Sequence, residues 1–131
     1  RGGDSVERRR KRGRVAEVRI KDIQEEAHEI ARKKGWYDEP RSVGELIALC
    51  HSELSEALEE YRCFPRDIDI IDKGGIGHFP DEPHGFPVEI ADLIIRVADM
   101  TEFYNIDLEE AIKVKMAYNR TRPYKHGGKK I

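Results

Sequence analysis

The stretch that decides the fold is EIADLIIRVAD, residues 89–99. Extended from Val88 to Tyr104 and placed on a helix of 3.6 residues per turn, it is apolar over well over half of its circumference. Only one narrow stripe is polar, and it holds Glu89, Asp92, Arg96 and Asp99. A helix with so little polar surface is normally buried in a core or between subunits. The stretch therefore predicts a buried helix, and it raises the question of what its carboxylates bind.

Three more amphipathic helices are indicated by apolar residues at helical spacing and by start signals. Ser42 with Glu45 forms a capping-box pattern, and Asp107 with Glu110 forms a second cap pattern. The four predicted helices cover residues 15–34, 43–62, 88–104 and 108–122. The first is predicted to carry Val18 on its apolar face and to end at Gly35.

Between the second and third helices, residues 64–87 hold four of the six prolines and four of the eleven glycines. This composition predicts a long loop, with a short strand or hairpin at 67–72. Residues 1–14 contain seven basic residues and a single apolar one, which predicts a disordered basic tail. The sequence therefore predicts one all-α domain, residues 15–131, built as a four-helix-type bundle and completed by oligomerisation.

Composition excludes several classes of function. The net charge of −2 gives no field that favours a nucleic acid polymer or an anionic membrane. No apolar run approaches the ~18 residues of a membrane-spanning helix, and no signal peptide is recognisable. Two cysteines make neither a disulfide framework nor a zinc cluster, so we expect a reducing, cytoplasmic setting.

Two pairs of acidic residues are candidate metal ligands. Glu53-x-x-Glu56 lies on the second helix and Glu89-x-x-Asp92 on the third, and the long loop allows these helices to pack antiparallel. Facing pairs of this kind offer up to about eight oxygens, the ligands that Mg²⁺ or Mn²⁺ prefers. The sequence therefore predicts a metal site between the two helices.

Two readings without metal stay open. The ladder formed by Glu53, Glu56 and Glu60 is also typical of a solvated helix face. On the third helix, Arg96 is also placed to neutralise Asp92 and Asp99 in a structural ion-pair stripe.

The fourth helix begins with an apolar face that Lys115, Asn119 and Arg122 continue toward its end. Cations and an amide at core positions favour a pocket for phosphate oxygens. Basic residues that complement the macrodipole at an exposed helix end are the other interpretation.

In this order, the acidic pairs followed by Lys115, Asn119 and Arg122 resemble the MazG-like all-α nucleoside triphosphate pyrophosphohydrolases. The connector GWYDEPRS and the segment KMAYNRTRPY look like parts of the dCTP pyrophosphatase branch, and the likeness runs from about His28 to the end of the chain. One feature departs from the family: 32 residues separate Glu56 from Glu89, more than the usual spacer.

The resemblance implies an enzyme that cuts a nucleoside triphosphate between its α and β phosphates, cleans the nucleotide pool, and works as a homodimer or a dimer of dimers. Glu53, Glu56, Glu89 and Asp92 would bind Mg²⁺, with Glu53 or Glu56 orienting the attacking water. The basic residues of the last helix would hold the β and γ phosphates.

Four other residues are candidates for substrate binding. Trp36 suits either stacking on a base or anchoring a helix junction, and His28 suits a hydrogen bond to a base edge. Arg96, with Asp99, would extend the site, and Tyr124 would close over phosphates.

Two other functions stay open from the sequence. A non-catalytic helical module that binds nucleotide or a protein would bind without turnover. A ferritin-like carboxylate bundle would need Glu-x-x-His on two helices, and the chain offers only Glu25-x-x-His28.

Overall fold

A computed structural model describes residues 18–63, 77–78 and 83–124. The predicted basic tail, the strand predicted at 67–72 and most of the predicted loop lie outside these residues. Within them the all-α prediction is confirmed, with one two-residue antiparallel pairing in addition. In chain order the elements are α1 (Ile20–Lys33), α2 (Val43–Cys63), β1 (Gly77–His78), β2 (Pro83–His84), α3 (Phe86–Phe103) and α4 (Leu108–Thr121).

The predicted caps of α2 and α4 are present. The Ser42 backbone N–H donates to Glu45 at 2.7 Å, and the Glu45 N–H donates to the Ser42 hydroxyl at 3.2 Å. Asp107 accepts from the Glu110 N–H at 2.9 Å. These contacts satisfy backbone donors that have no partner inside the helix, which is why the sequence pattern located both starts correctly.

The predicted start of α1 was wrong by five residues. Arg19 is extended, and its backbone N–H donates to the Asp22 carboxylate at 3.1 Å, so the helix begins at Ile20. Val18, predicted on the apolar face, therefore precedes the helix and is 68% exposed. The periodicity extended past the true start because Val18 continues the apolar spacing without being helical.

Gly35 ends α1 as predicted. Its φ of 81° lies in the left-handed region, and a Cβ there would lie 2.8 Å from the Asp38 carboxylate. The reversal places the next residues, Trp36 and Tyr37, beside the helices rather than beyond them: the Tyr37 hydroxyl donates to Asp99 of α3. The glycine therefore positions the connector against the third helix.

Helix α3 is the centre of the packing, since it lies against both α1 and α2, whereas α4 makes its contacts mainly with α1. Four apolar residues are buried among those that the structure describes: Ala27, Leu46, Ala57 and Ala98. Three of them are alanines, which let helix backbones approach closely. Fully buried Gln24 donates to the Thr101 hydroxyl at 3.0 Å and to the Ile106 carbonyl at 2.9 Å, and so joins α1 to the turn before α4.

Large apolar side chains remain exposed in the single chain. On α3, Ile94 is 54% and Ile95 46% exposed, so the predicted burial of this helix is not achieved within one chain. On α2, five residues that fall within ~60° of one another around the helix are 44–51% exposed. We call this set the α2 stripe: Val43, Ile47, Leu54, Leu58 and Tyr61. It runs for about 27 Å along the helix.

Among the described residues, no helix combines the length and the apolar character needed to cross a bilayer.

Candidate functional site

The structure brings three of the four predicted metal ligands together. Glu53 and Glu56 of α2 and Glu89 of α3 each place a carboxylate oxygen within 4.8 Å of the other two. Glu53 is only 4% exposed. Asp92, one turn after Glu89, lines the adjacent cavity together with Glu53. Packing of α2 on α3 therefore creates an acidic cluster in which Glu89 meets two glutamates that lie more than thirty positions before it in the sequence.

The cluster concentrates negative charge in a partly buried place. The pKa of Glu89 is raised, first by burial and then by the nearby carboxylates of Glu56, Asp92, Glu53 and Glu60. Burial and like charges both disfavour the ionised form, and a bound cation would relieve both.

Glu60 belongs to this environment although the resemblance assigned it no role. Its Oε2 atom is buried and has no hydrogen-bond partner among the described residues. The spacing of Glu53, Glu56 and Glu60 at three and four residues was the signal that could have identified it. An orphaned carboxylate oxygen beside an acidic cluster fits a place where a cation, or water bound to one, is the missing partner.

Arg96 of α3 crosses to α2, where its Nε donates to Glu53. In the alternative ion-pair stripe Arg96 would neutralise Asp92 and Asp99, but the ion pair recorded for Arg96 joins it to Glu53 on the other helix. Asp99 instead accepts two other hydrogen bonds, each of 2.8 Å, from the Tyr37 hydroxyl and from His28 Nδ1.

The hydrogen bonds to Asp99 attach the connector that carries Tyr37 to α1 and α3. The Tyr37 ring stacks on Phe103 with centroids 4.7 Å apart and meets the His28 ring edge-on at 4.9 Å. The pKa of Tyr37 is raised, chiefly by burial and next by its hydrogen bond to Asp99, so this hydroxyl stays protonated as a donor. One ring nitrogen of His28 is thus already engaged, which leaves only the other for a ligand.

A cavity of about 260 Å³ lies next to the cluster. Its walls are apolar side chains of α1, α2 and α3 together with Trp36 and Tyr37. The charged groups in the lining are Arg41, Glu53, Asp92, Arg96 and Asp99. Apolar walls combined with a few charged groups are typical of a small-ligand site, although the volume is slightly below the usual range.

Trp36 forms part of this wall and is 42% exposed. The guanidinium carbons of Arg41 and Arg96 lie 5.1 and 5.4 Å from its ring centroid, within cation–π range. Arg41 Nε also donates to the Trp36 carbonyl at 2.6 Å. Trp36 therefore has a held backbone and a partly exposed indole ring that two guanidinium groups lie over.

The predicted phosphate residues lie elsewhere on the chain. Lys115 and Arg122 both lie over the Tyr118 ring, at 4.9 and 6.0 Å from its centroid. Within the described part of the chain, Lys115, Asn119 and Arg122 line neither the cavity beside the cluster nor the second cavity near His28. Tyr124 is 88% exposed. In the described part of the chain, the recorded contacts of Lys115 and Arg122 are therefore with Tyr118 and not with the carboxylates.

Glu25 and His28 do not form a metal site in the described residues. The only group of three or more potential metal ligands found there is Glu53, Glu56 and Glu89, and it contains no histidine. Glu25 and His28 instead line the second cavity, and His28 is held by Asp99.

Comparisons with protein-family models, curated proteins and solved structures return no match for this chain. Its function is therefore inferred from its own side chains and from the sequence motifs.

Proposed function

We propose that the protein is a Mg²⁺-dependent nucleoside triphosphate pyrophosphohydrolase that releases a nucleoside monophosphate and pyrophosphate and so cleans the nucleotide pool. The observation that carries the proposal is the convergence of Glu53, Glu56 and Glu89 from two helices beside a cavity walled by Trp36. The reaction class comes from the resemblance to MazG-like enzymes, and the carboxylate cluster and the cavity support it.

The residues fit a hard divalent cation. All donors in the cluster are carboxylate oxygens, which favour Mg²⁺ and accept Mn²⁺ as a substitute. The raised pKa of Glu89 and the orphaned Oε2 of Glu60 are both consistent with a missing positive partner. In the proposed site Glu53, Glu56, Glu89 and Asp92 hold the ion.

Bound Mg²⁺ would supply charge neutralisation at the phosphates and a lower pKa for the attacking water. Glu53 or Glu56 would orient that water and accept its proton. Trp36 would stack on the base in the cavity, since its ring forms part of the cavity wall and its backbone is held by Arg41. His28 lines the second cavity and not the one walled by Trp36, so the cavity linings give no support to the predicted hydrogen bond from His28 to the base.

Oligomerisation would complete the site. The α2 stripe exposes apolar surface along a whole helix, whereas the core of one chain contains few large buried side chains among the described residues. We therefore infer that a second copy of the chain covers the stripe, giving a homodimer or a homotetramer. Lys115, Asn119, Arg122 and Tyr124 would reach the β and γ phosphates in that assembly, since the first three line neither described cavity within one chain.

The reaction is tested by incubating the full chain with Mg²⁺ and a panel of canonical and modified nucleoside triphosphates, and separating the products. We expect monophosphate and pyrophosphate in equal amounts. Stepwise release of single phosphates would contradict the proposed bond cleavage. Binding without turnover, with Mg²⁺ and with Mn²⁺, would instead favour the non-catalytic nucleotide-binding module.

Metal binding predicts a separate effect on stability. At Mg²⁺ concentrations of about 100 times Kd, the folded state gains ~2.7 kcal/mol, so the Tm should rise by roughly 10 °C. Glu89→Gln removes a charge that burial and its neighbours disfavour, so we expect it to raise the Tm without metal and to abolish the Mg²⁺ response. Differential scanning calorimetry with Mg²⁺ and then EDTA measures both effects. A full Mg²⁺ shift in the variant would contradict the assignment of Glu89 as a ligand.

A further inference from the structure

Arg96 contacts both the acidic cluster and the cavity wall of the candidate site. Its Nε donates to Glu53 in the carboxylate cluster, and its guanidinium carbon lies 5.4 Å from the centroid of the Trp36 ring in the cavity wall. Glu53, Trp36 and Arg96 all line the same cavity. No other described cation is recorded in contact with both an acidic residue of the cluster and the indole.

Glu53 cannot bind Arg96 and a divalent cation equally well at the same time. It is 4% exposed, so water has little access to replace a lost partner. A divalent cation held by Glu53 repels the guanidinium and competes with it for the carboxylate oxygens. Arg96 is about 30% exposed at its side chain and has room to move, whereas Glu53 does not.

We propose that Arg96 couples metal binding to the state of Trp36, an inference that rests on the proposed Mg²⁺ site at Glu53. Without metal, Arg96 neutralises Glu53 and lies over the indole. When Glu53 takes a cation, Arg96 leaves the carboxylate and its position over Trp36 changes, which exposes the ring for stacking. Arg96 is thus a positioning residue that prepares the base site only after the metal site is filled.

The coupling must act in both directions. If metal binding displaces Arg96 from Trp36, then removing Arg96 must strengthen metal binding, because the ion no longer competes with the guanidinium. Coupling between two such sites is typically about 5- to 150-fold in affinity, and we expect about tenfold here.

Trp36 is the only tryptophan of the chain, so its emission reports this site alone. The full chain and its Arg96→Gln variant are titrated with Mg²⁺ at constant ionic strength, following Trp36 emission and, in parallel, heat by calorimetry. In the native protein we expect Trp36 emission to change and saturate as Mg²⁺ is added. The midpoint of this change should equal the midpoint of the calorimetric titration. In Arg96→Gln we expect binding about tenfold tighter and no emission change.

Arg41→Gln is the matched control, because Arg41 lies 5.1 Å from the same ring centroid but makes no recorded contact with the cluster. It should alter the starting emission, keep the Mg²⁺ response and leave Mg²⁺ affinity within about twofold of the native value. Arg96→Lys, which keeps the charge without the planar group, should lose most of the emission response even if Arg96→Gln folds poorly.

The outcomes separate the two proposals. Calorimetric Mg²⁺ binding with unchanged Trp36 emission, or equal affinity in Arg96→Gln, overturns the coupling and leaves the metal site intact. No Mg²⁺ binding by calorimetry overturns the metal site and the coupling with it.

Discussion

Glu53→Gln is expected to reduce kcat/KM for nucleoside triphosphate hydrolysis by about 10²- to 10⁴-fold, the range typical of removing a group that accepts a proton in the transition state. Glutamine preserves the size of the side chain and can still accept a hydrogen bond from Arg96. It removes the charge that would hold Mg²⁺ and the base that would take the proton of the attacking water. Glu53 is also the most buried member of the cluster, so solvent cannot substitute for it.

The measurement is the initial rate of monophosphate formation at saturating Mg²⁺, with circular dichroism to confirm that the variant is folded. Glu26→Gln is the matched control, since it removes the same charge from an exposed position on α1. Its rate should stay within about twofold of the native rate. A Glu53→Gln enzyme with native kcat/KM would exclude any role of this carboxylate in the reaction, whatever the oligomeric state.

Leu58→Glu is expected to raise the dissociation constant of the proposed dimer by about 10³-fold, because an unpaired charge in a desolvated interface costs several kcal/mol, and ~4 kcal/mol corresponds to that factor. Leu58 is 46% exposed in one chain and belongs to the α2 stripe. Glutamate is a good helix former, so the change acts on the surface and not on the formation of α2.

Sedimentation velocity over a range of concentrations measures this effect. Ala48→Glu adds the same charge to the same helix at an exposed position outside the stripe, and it should leave the dimer intact. If the α4 residues act across the interface, monomeric Leu58→Glu should also lose hydrolysis. A stable dimer in the Leu58→Glu variant would show that the second copy docks elsewhere.

Much of the fold was predictable because helix signals are local. The caps at Ser42 and Asp107 involve residues three positions apart, and the left-handed turn at Gly35 involves one. The start of α1 was missed because the Arg19–Asp22 contact competes with an apolar pattern that continues before it. Periodicity reports which face is apolar, and it does not report where the backbone leaves the helix.

The candidate site was predictable only in part. Glu53, Glu56, Glu89 and Asp92 were selected by spacing within each helix, and the structure then brought three of them together. The alternative ion-pair stripe placed the partners of Arg96 on its own helix, and spacing did not indicate the contact of Arg96 with Glu53 on α2. Spacing within a helix identifies neighbours three or four residues apart, whereas contacts between helices depend on rotation about each axis.

The sequence by itself determined that the described part of the chain forms four helices. It also determined where two of these helices start and which carboxylates share a helix face. Each of these features depends on residues within about one helical turn of one another. Only the tertiary structure decided that Glu53 is buried against Arg96, that Asp99 holds His28 and Tyr37, and that Trp36 lines a cavity beside the acidic cluster. Those contacts join positions 43 to 71 residues apart, and the packing of α3 against α1 and α2 is what brings them together.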